Sequence, residues 1–538
     1  MTTHRRSKAL VALAIAALSA TACGGTGGTG GADGGGPPVQ GGSLTFATDI
    51  DPGCVDPQQS PLAATLVITR GVLDSLVFQD QASGEIKPWL AESWEVSEDV
   101  TTYTFTLRDG VTFSDGGVVD AAAVKANLDR IADPASKSLS GAGLLTGYAG
   151  ATVRDARTVV VRFDRPNAPF LQAASTATLG IQSPAALAAG SQSTCQLIVG
   201  SGPFVMRSYT RQQSVVLAKR PEYRWAPQAV GYQGPAYLDQ ITISFVAENG
   251  VRLGSLRSGQ VDTVANVPPR DAESLGGGGA FQLFTKEQPG LAYSLFVNPR
   301  RGPWSDLRLR QAIGKSVDTE QIVSTLYRGS YVRATGPLTP TTPAHLALLE
   351  RDPHDRPGAE ALFGQAGWVK DGSGYLVKDG QRLSLTWTYP TPVKEQRDVL
   401  AQLVQQQLKE VGVEVVLNPL STADVIARQS RGEWDLSDLN IVRADGDLLR
   451  LFVQPSVPGG VPFMADAELE ASIALGARNR DPQQRVAAYQ QAQRRLVDQA
   501  LIVPVYNPRS IIGASNAVHG LDFDAQGLPW FFKTWVRR

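Results

Sequence analysis

The sequence predicts an α/β protein built from two or more lobes, and three observations carry that prediction. The chain has 538 residues, whereas single hydrophobic cores stop growing at about 250–300 residues. Apolar residues recur at helical spacing in some stretches and alternate strictly in others, so helices and strands interleave. A short pattern also recurs in distant halves. Leu256-Arg-Ser-Gly-Gln-Val-Asp262 and Gln429-Ser-Arg-Gly-Glu-Trp-Asp435 each place a glycine three residues before an aspartate, as a helix C-terminus feeding a strand does.

Taken in order, the N-terminus comes first. His4, Arg5, Arg6 and Lys8 precede an apolar run from Ala9 to Leu18, and small residues then lead to Cys23. The run is shorter than the roughly 20 residues a membrane span needs, so it reads as a secretory signal. Its end, Ala20-Thr21-Ala22-Cys23, resembles a bacterial lipoprotein signal, with residues 1–22 removed and Cys23 lipidated. Ala20 stands where such signals usually carry leucine, and the alternative is an ordinary cleaved signal ending at Ala22. Residues 24–42 are a glycine-rich tether without capacity to pack, and no Gly-Lys-Ser/Thr follows to make a phosphate loop. Export would put Cys54 and Cys195 in an oxidising compartment, where a pair is normally bridged; the alternative is two buried free thiols.

Ser43–Ala47 is the first strand of the exported chain. Thr101–Leu107 alternates, with Tyr103, Phe105 and Leu107 on one face, and predicts a half-buried strand. Asp115-Gly-Gly117 turns the chain, and Asp120 caps a helix carrying Val124, Leu128 and Ile131 on one stripe. Thr158–Phe163 is a further strand, ending before Pro166. Residues 394–411 predict a helix with Leu400, Leu403, Val404, Leu408 and Val411 inward, stopped by Gly412 and followed by a strand from Val413 to Leu417. Asp481-Pro482 is a cap with proline at the first helical position, opening a helix to about Gln499. Leu501–Tyr506 is an apolar strand in which Pro504 points to a sheet edge or crossover.

Composition excludes several functions. Fifty Lys and Arg against 51 Asp and Glu, without a basic block, argue against nucleic acid as partner. His345, His354 and His519 follow no metal-ligand spacing, three cysteines suit no multi-cysteine site, and no cofactor is implied. No Gly-x-Ser-x-Gly elbow is present, which leaves a secreted hydrolase as a disfavoured alternative.

Residues 88–131 resemble the signature region of the family 5 solute-binding proteins, the peptide- and nickel-binding receptors of ABC importers. The likeness rests on Leu90-Ala-Glu-Ser-Trp94, Tyr103-Thr-Phe-Thr-Leu-Arg-Asp-Gly110 and Phe113-Ser-Asp-Gly116. Val199-Gly-Ser-Gly-Pro-Phe204, Phe296-Val-Asn-Pro299, Leu307-Arg-Leu-Arg-Gln-Ala312 with Val317-Asp318, Ala366-Gly-Trp368 and Gly432-Glu-Trp-Asp435 follow in the family's order, so the resemblance covers nearly all of residues 43–538.

That resemblance implies a two-lobe periplasmic-binding-protein-like fold (type II) with the ligand in the cleft. Lobe I would be 43–290 plus 506–538, with an extra subdomain near 82–194, and lobe II would be 291–505. The implied partners are a peptide or similar amine-bearing solute, or a metal chelate, and an ABC permease. A monomer is implied, on the outer face of the cytoplasmic membrane. In peptide-binding members an aspartate near a Trp-x-x-Asp segment pairs with the ligand amine. Here Ile441 or Val442 replaces the tryptophan, Asp445 is the first candidate and Asp447 the second; the alternative is a solvated turn. Arg443 can hold a carboxylate bidentately. Tyr389, at a strand end, can stack on ligand, and Asp51 and Gln58, after the first strand, form a rim stapled by Cys54.

Overall fold

The computed structural model describes residues 36–60, 62–136, 138, 141–391, 395–453 and 466–538. The signal sequence, Cys23 and residues 24–35 of the tether lie outside the described residues, as do residues 392–394 of the predicted 394–411 helix. All elements below belong to one contact unit, Pro37–Arg538.

Two large sheets organise the chain. The first has seven strands, in the order Phe281–Glu287, Arg509–Ser515, Thr263–Val264, Ser43–Thr48, Gln240–Phe245, Ser214–Lys219 and Phe204–Thr210. The second has six: Val332–Arg333, Ile502–Asn507, Gly290–Val297, Leu436–Val442, Ser384–Thr391 and Glu414–Ser421. Each contains a parallel trio, Ser43–Thr48 between its partners in the first and Ser384–Thr391 between its partners in the second. The two recurrent glycine patterns feed these trios. Gly259 and Gly432 take φ of 74° and 71° just past the Asn249–Arg257 and Thr422–Arg431 helices, where a side chain would be strained, and each releases the chain into a strand. The chain passes from the first sheet to the second between Glu287 and Gly290, and returns between Asn507 and Arg509.

A four-stranded antiparallel sheet, in the order Ala91–Val96, Thr102–Leu107, Thr158–Phe163 and Tyr148–Val153, is inserted into the first half. Its predicted alternation holds: Tyr103, Phe105 and Leu107 are buried, and the helix Ala121–Ala132 starts on the Asp120 side chain, which accepts from the Ala123 N–H. Two expectations need correction and a third is narrowed. The predicted 394–411 helix spans Arg397–Glu410, because Glu395 and Gln396 both take φ of 56°, outside the helical region. The Pro504 strand is the crossover alternative rather than the edge: it runs into the return between Asn507 and Arg509, and the two-residue strand Val332–Arg333 that flanks it pairs only with Tyr506 and Asn507, so no ladder partner on that side meets the missing N–H of Pro504. Nor are the cores separate. One cluster runs through the first sheet and the inserted sheet, but a second joins Leu256 and Val264 of the first half to Tyr293, Trp387 and Leu400 of the second. A third, around Phe296, Leu448, Phe452, Leu469 and Leu496, backs the site described next.

Candidate functional site

A cavity of about 530 Å³ lies between the inserted sheet and a helical hairpin, Ala467–Arg478 and Pro482–Asp498. That volume falls within the roughly 300–1,000 Å³ of small-molecule sites. The Asp481 cap fixes the register of the second helix, its carboxylate accepting from the Gln483 and Gln484 N–H groups. Pro482, Arg485, Val486 and Tyr489 then fall at i, i+3, i+4 and i+7 and line one wall together. Val96, Val100, Tyr103, Ala168 and Leu171 make the facing, largely apolar wall. Gln79, Gly84 and Glu85 on one side and Ala444 to Gly446 on the other complete it.

Two hydrogen bonds close the cavity. The Gln79 amide Nε2 donates to the Ala444 carbonyl at 3.0 Å, and the Ala168 N–H donates to the Ala477 carbonyl at 2.8 Å. The wall behind them is stiff. The Tyr489 ring is flanked by two glycines; a Cβ on Gly446 would meet it at 2.7 Å and one on Gly476 at 2.5 Å. Its hydroxyl donates to Asp447 Oδ1 at 3.1 Å. Burial, reinforced by Asp447 and Asp445, pushes the Tyr489 hydroxyl well above its ordinary pKa, so it stays a donor. Burial also raises Tyr103, whose hydroxyl donates to the Asn167 carbonyl at 2.7 Å.

Of the sequence-predicted residues, Asp445 reaches the cavity, but with its carboxylate engaged. Arg485 Nη2 donates to Oδ1 at 2.9 Å and to Oδ2 at 2.8 Å, and Asp445 Oδ1 accepts from the Asp447 N–H at 2.8 Å. Burial works against the Arg485 charge, yet Asp445 and Tyr489 outweigh it and raise its pKa. Asp447 lies one layer back with Arg450, at 2.8 Å, beside Arg443. The 445–447 segment is therefore a buried cap on the 3₁₀ helix Gly446–Phe452 rather than a solvated turn.

The remaining three stand elsewhere. Tyr389 packs edge-on against Trp387, with centroids 6.1 Å apart, and does not line this cavity. Asp51 accepts from the Gly53 N–H at 2.9 Å, the Gln212 N–H at 2.6 Å and the Tyr209 hydroxyl; burial opposes these donors, whose sum lowers its pKa. Gln58 is 1% exposed and pinned to Asn127, at 2.8 Å, and to Arg130. Asp51, before Cys54, and Gln58, after it, both brace the loop that carries Cys54. Cys54 and Cys195 are joined by a disulfide with Cα atoms 4.2 Å apart, and the Val55 N–H donates to the Cys195 carbonyl at 3.1 Å. Among the described residues no group of three His, Cys, Asp or Glu side chains is placed to hold a metal. No described helix is long and apolar enough to cross a membrane.

Residues 85–453 match the family model for bacterial extracellular solute-binding proteins, family 5, a span that includes the inserted sheet and Ala444 to Gly446 of the cavity wall. The chain belongs to that family. As a family 5 protein it is a substrate-binding component of an ABC importer, extracytoplasmic, and not an enzyme. A probable di/tripeptide-binding protein of Pseudomonas aeruginosa is 27% identical over 535 residues, covering 93% of this chain and 97% of its own. The glutathione-binding protein GsiB of Salmonella typhimurium is 27% identical over 424 residues, covering 76% and 78%. Among solved structures, NikA of Brucella suis with Fe(III)-EDTA superposes with a TM-score of 0.80 at 25% identity, covering 92% of this chain and 100% of its own. DppA of Helicobacter pylori with the peptide STSA gives 0.77 at 22%, covering 93% and 99%; both have the two-lobe fold.

Family 5 membership accounts for the cavity but was not needed to find its lining. Sequence reasoning missed Arg485, Arg480, Tyr489 and Gln79. The stripe of Pro482, Arg485, Val486 and Tyr489 after a recognised cap was the available signal.

Proposed function

We propose that this receptor captures a peptide-class solute, of one to a few residues, in the cavity between the inserted sheet and the 467–498 hairpin. The observation that carries the reading is a cavity of about 530 Å³ with apolar walls, a few polar groups and two hydrogen bonds across its rim. The di/tripeptide- and glutathione-binding relatives support the solute class. The lobes are assigned as 43–290 plus 506–538 and 291–505, with the subdomain near 82–194. Cys23 is the lipid attachment site on the outer face of the cytoplasmic membrane, and the monomer delivers solute to its permease. A metal chelate is the second reading, favoured by the NikA likeness; the metal would arrive with its own ligands.

Val486→Trp fills the cavity from the half-buried helix face that lines it. Calorimetry with a di- and tripeptide pool should register binding to the wild type and at least a 100-fold loss in the variant, with the unliganded melting temperature unchanged. Equal binding by both proteins would place the solute elsewhere.

A further inference from the structure

The charges around the cavity do not balance. Asp445 is held by Arg485, Asp447 by Arg450, and Glu85 by Lys87 at 2.5 Å. That leaves Arg480, at the mouth, and Arg443, one layer behind the wall, without an ion-pair partner among the described residues. Burial depresses the Arg443 pKa, and the nearby Arg450 works in the same direction against the pull of Asp447 and Asp445. Arg480 also borders a groove that continues the cavity past Val96 and Leu171. Among the described residues, Glu95 is the one acidic residue lining that groove, and it makes no ion pair with Arg480.

Among the described residues, Asp445 and Glu85 are the carboxylates that line the cavity; both Asp445 oxygens already accept from a guanidinium, and Glu85 is paired with Lys87. A ligand ammonium would have to displace Arg485, leaving that cation buried and unpaired at a cost far above that of a surface pair. A carboxylate meets no such obstacle. It finds Arg480 free and a site with surplus positive charge, in surroundings where a charge-assisted bond is stronger than in water.

From this geometry we infer that the cavity selects an anionic solute, one that presents a carboxylate to Arg480, and that a free α-amine is not required. The inference rests on the proposed location of the solute and narrows its class. Tripeptides that differ in one side chain, each as the C-terminal amide so that a side chain supplies the only carboxylate, test it on the full receptor: Ala-Ala-Glu, Ala-Ala-Gln, Ala-Ala-Lys and N-acetyl-Ala-Ala-Glu, with succinate and citrate as non-peptide anions. Calorimetry should give Ala-Ala-Glu at least a tenfold lower Kd than Ala-Ala-Lys, and acetylation should change its Kd by less than about threefold. Arg480→Gln, at an exposed position, should erase most of the Glu preference, weakening Ala-Ala-Glu at least tenfold more than Ala-Ala-Gln. Arg485→Leu, where it folds, should reverse the preference by freeing Asp445 for an amine. Equal binding of all three side chains, or a 100-fold loss on acetylation, overturns the anion inference and leaves the peptide reading standing. Binding of citrate or succinate without any tripeptide does the reverse. No response to any of these probes overturns the inference.

Discussion

At the scale of single residues, the carboxyl groups of this receptor are told apart by their donors. Asp74 is fully buried, with Ser201 Oγ at 2.8 Å and Trp225 Nε1 at 2.9 Å on Oδ2 and the Tyr223 hydroxyl at 3.3 Å from Oδ1. Burial dominates these donors and lifts its pKa from 3.8 to about 6. The folded state therefore keeps a proton that the unfolded chain releases. The resulting stability is full below pH 3.8 and lost as pH rises to about 6. Two pK units correspond to something on the order of 3 kcal/mol. Asp74→Asn supplies an oxygen for Ser201 and Trp225 and an N–H₂ toward the Tyr223 oxygen, without ionising. Urea unfolding at pH 4 and pH 7 should show the variant gaining on the wild type by that amount as pH rises. A pH-independent gap would mean that Asp74 is ionised in the fold.

At the scale of elements, the Cys54–Cys195 bridge ties the loop after the first strand to the exit of the inserted region, across a sequence separation of 141. That loop carries a polar cluster in which Arg130 pairs with Asp56 at 2.8 Å and the Gln182 amide donates to Asp56 at 2.9 Å. Closing so long a loop is worth up to about 5 kcal/mol on the chain-entropy model. Cys54→Ser with Cys195→Ser should lower unfolding stability by a few kcal/mol, and mass spectrometry of unreduced peptides should find the two cysteines joined. Free thiols there would remove the staple. The elements themselves were largely legible in the sequence because each rests on local physics: strict alternation for Thr102–Leu107, a cap and stripe for Ala121–Ala132, and Asp-Pro for Pro482–Asp498. The site was not, because its walls come from six stretches far apart in sequence. Tyr103 reads as an inward strand residue and is one, yet it also borders the cavity. Asp445 was found from a family pattern, while its partner Arg485 stands 40 residues away in a helix that no local rule connects to it. Gln58 and Asp51 were misplaced for the opposite reason, since proximity to a strand end in sequence does not reveal that their hydrogen bonds turn inward.

At the scale of the whole molecule, the two-lobe architecture matters through what holds it shut. The chain crosses between the sheets twice, and Arg509 at the return crossing donates to the Ser330 carbonyl at 3.4 Å, while the Ser330 hydroxyl donates to the Pro269 carbonyl at 3.2 Å. The far side of the cleft is closed by the Gln79–Ala444 and Ala168–Ala477 hydrogen bonds. A solute shifts the receptor toward this closed form only by binding it better than the open one, so each contact across the rim adds to apparent affinity without touching the solute. Gln79→Ala removes one such bond, worth about 1 kcal/mol net, and should therefore raise the apparent Kd roughly fivefold through the closed population. Its signature is kinetic: solute dissociation quickens while association stays near the wild-type rate. Small-angle scattering should show the radius of gyration falling on solute addition in both proteins, with more solute needed by the variant. If Gln79→Ala binds and releases solute as the wild type does, the Gln79–Ala444 bond contributes nothing to closure, and the energy that holds the lobes together comes from the solute, the crossing segments and the remaining rim bond between Ala168 and Ala477.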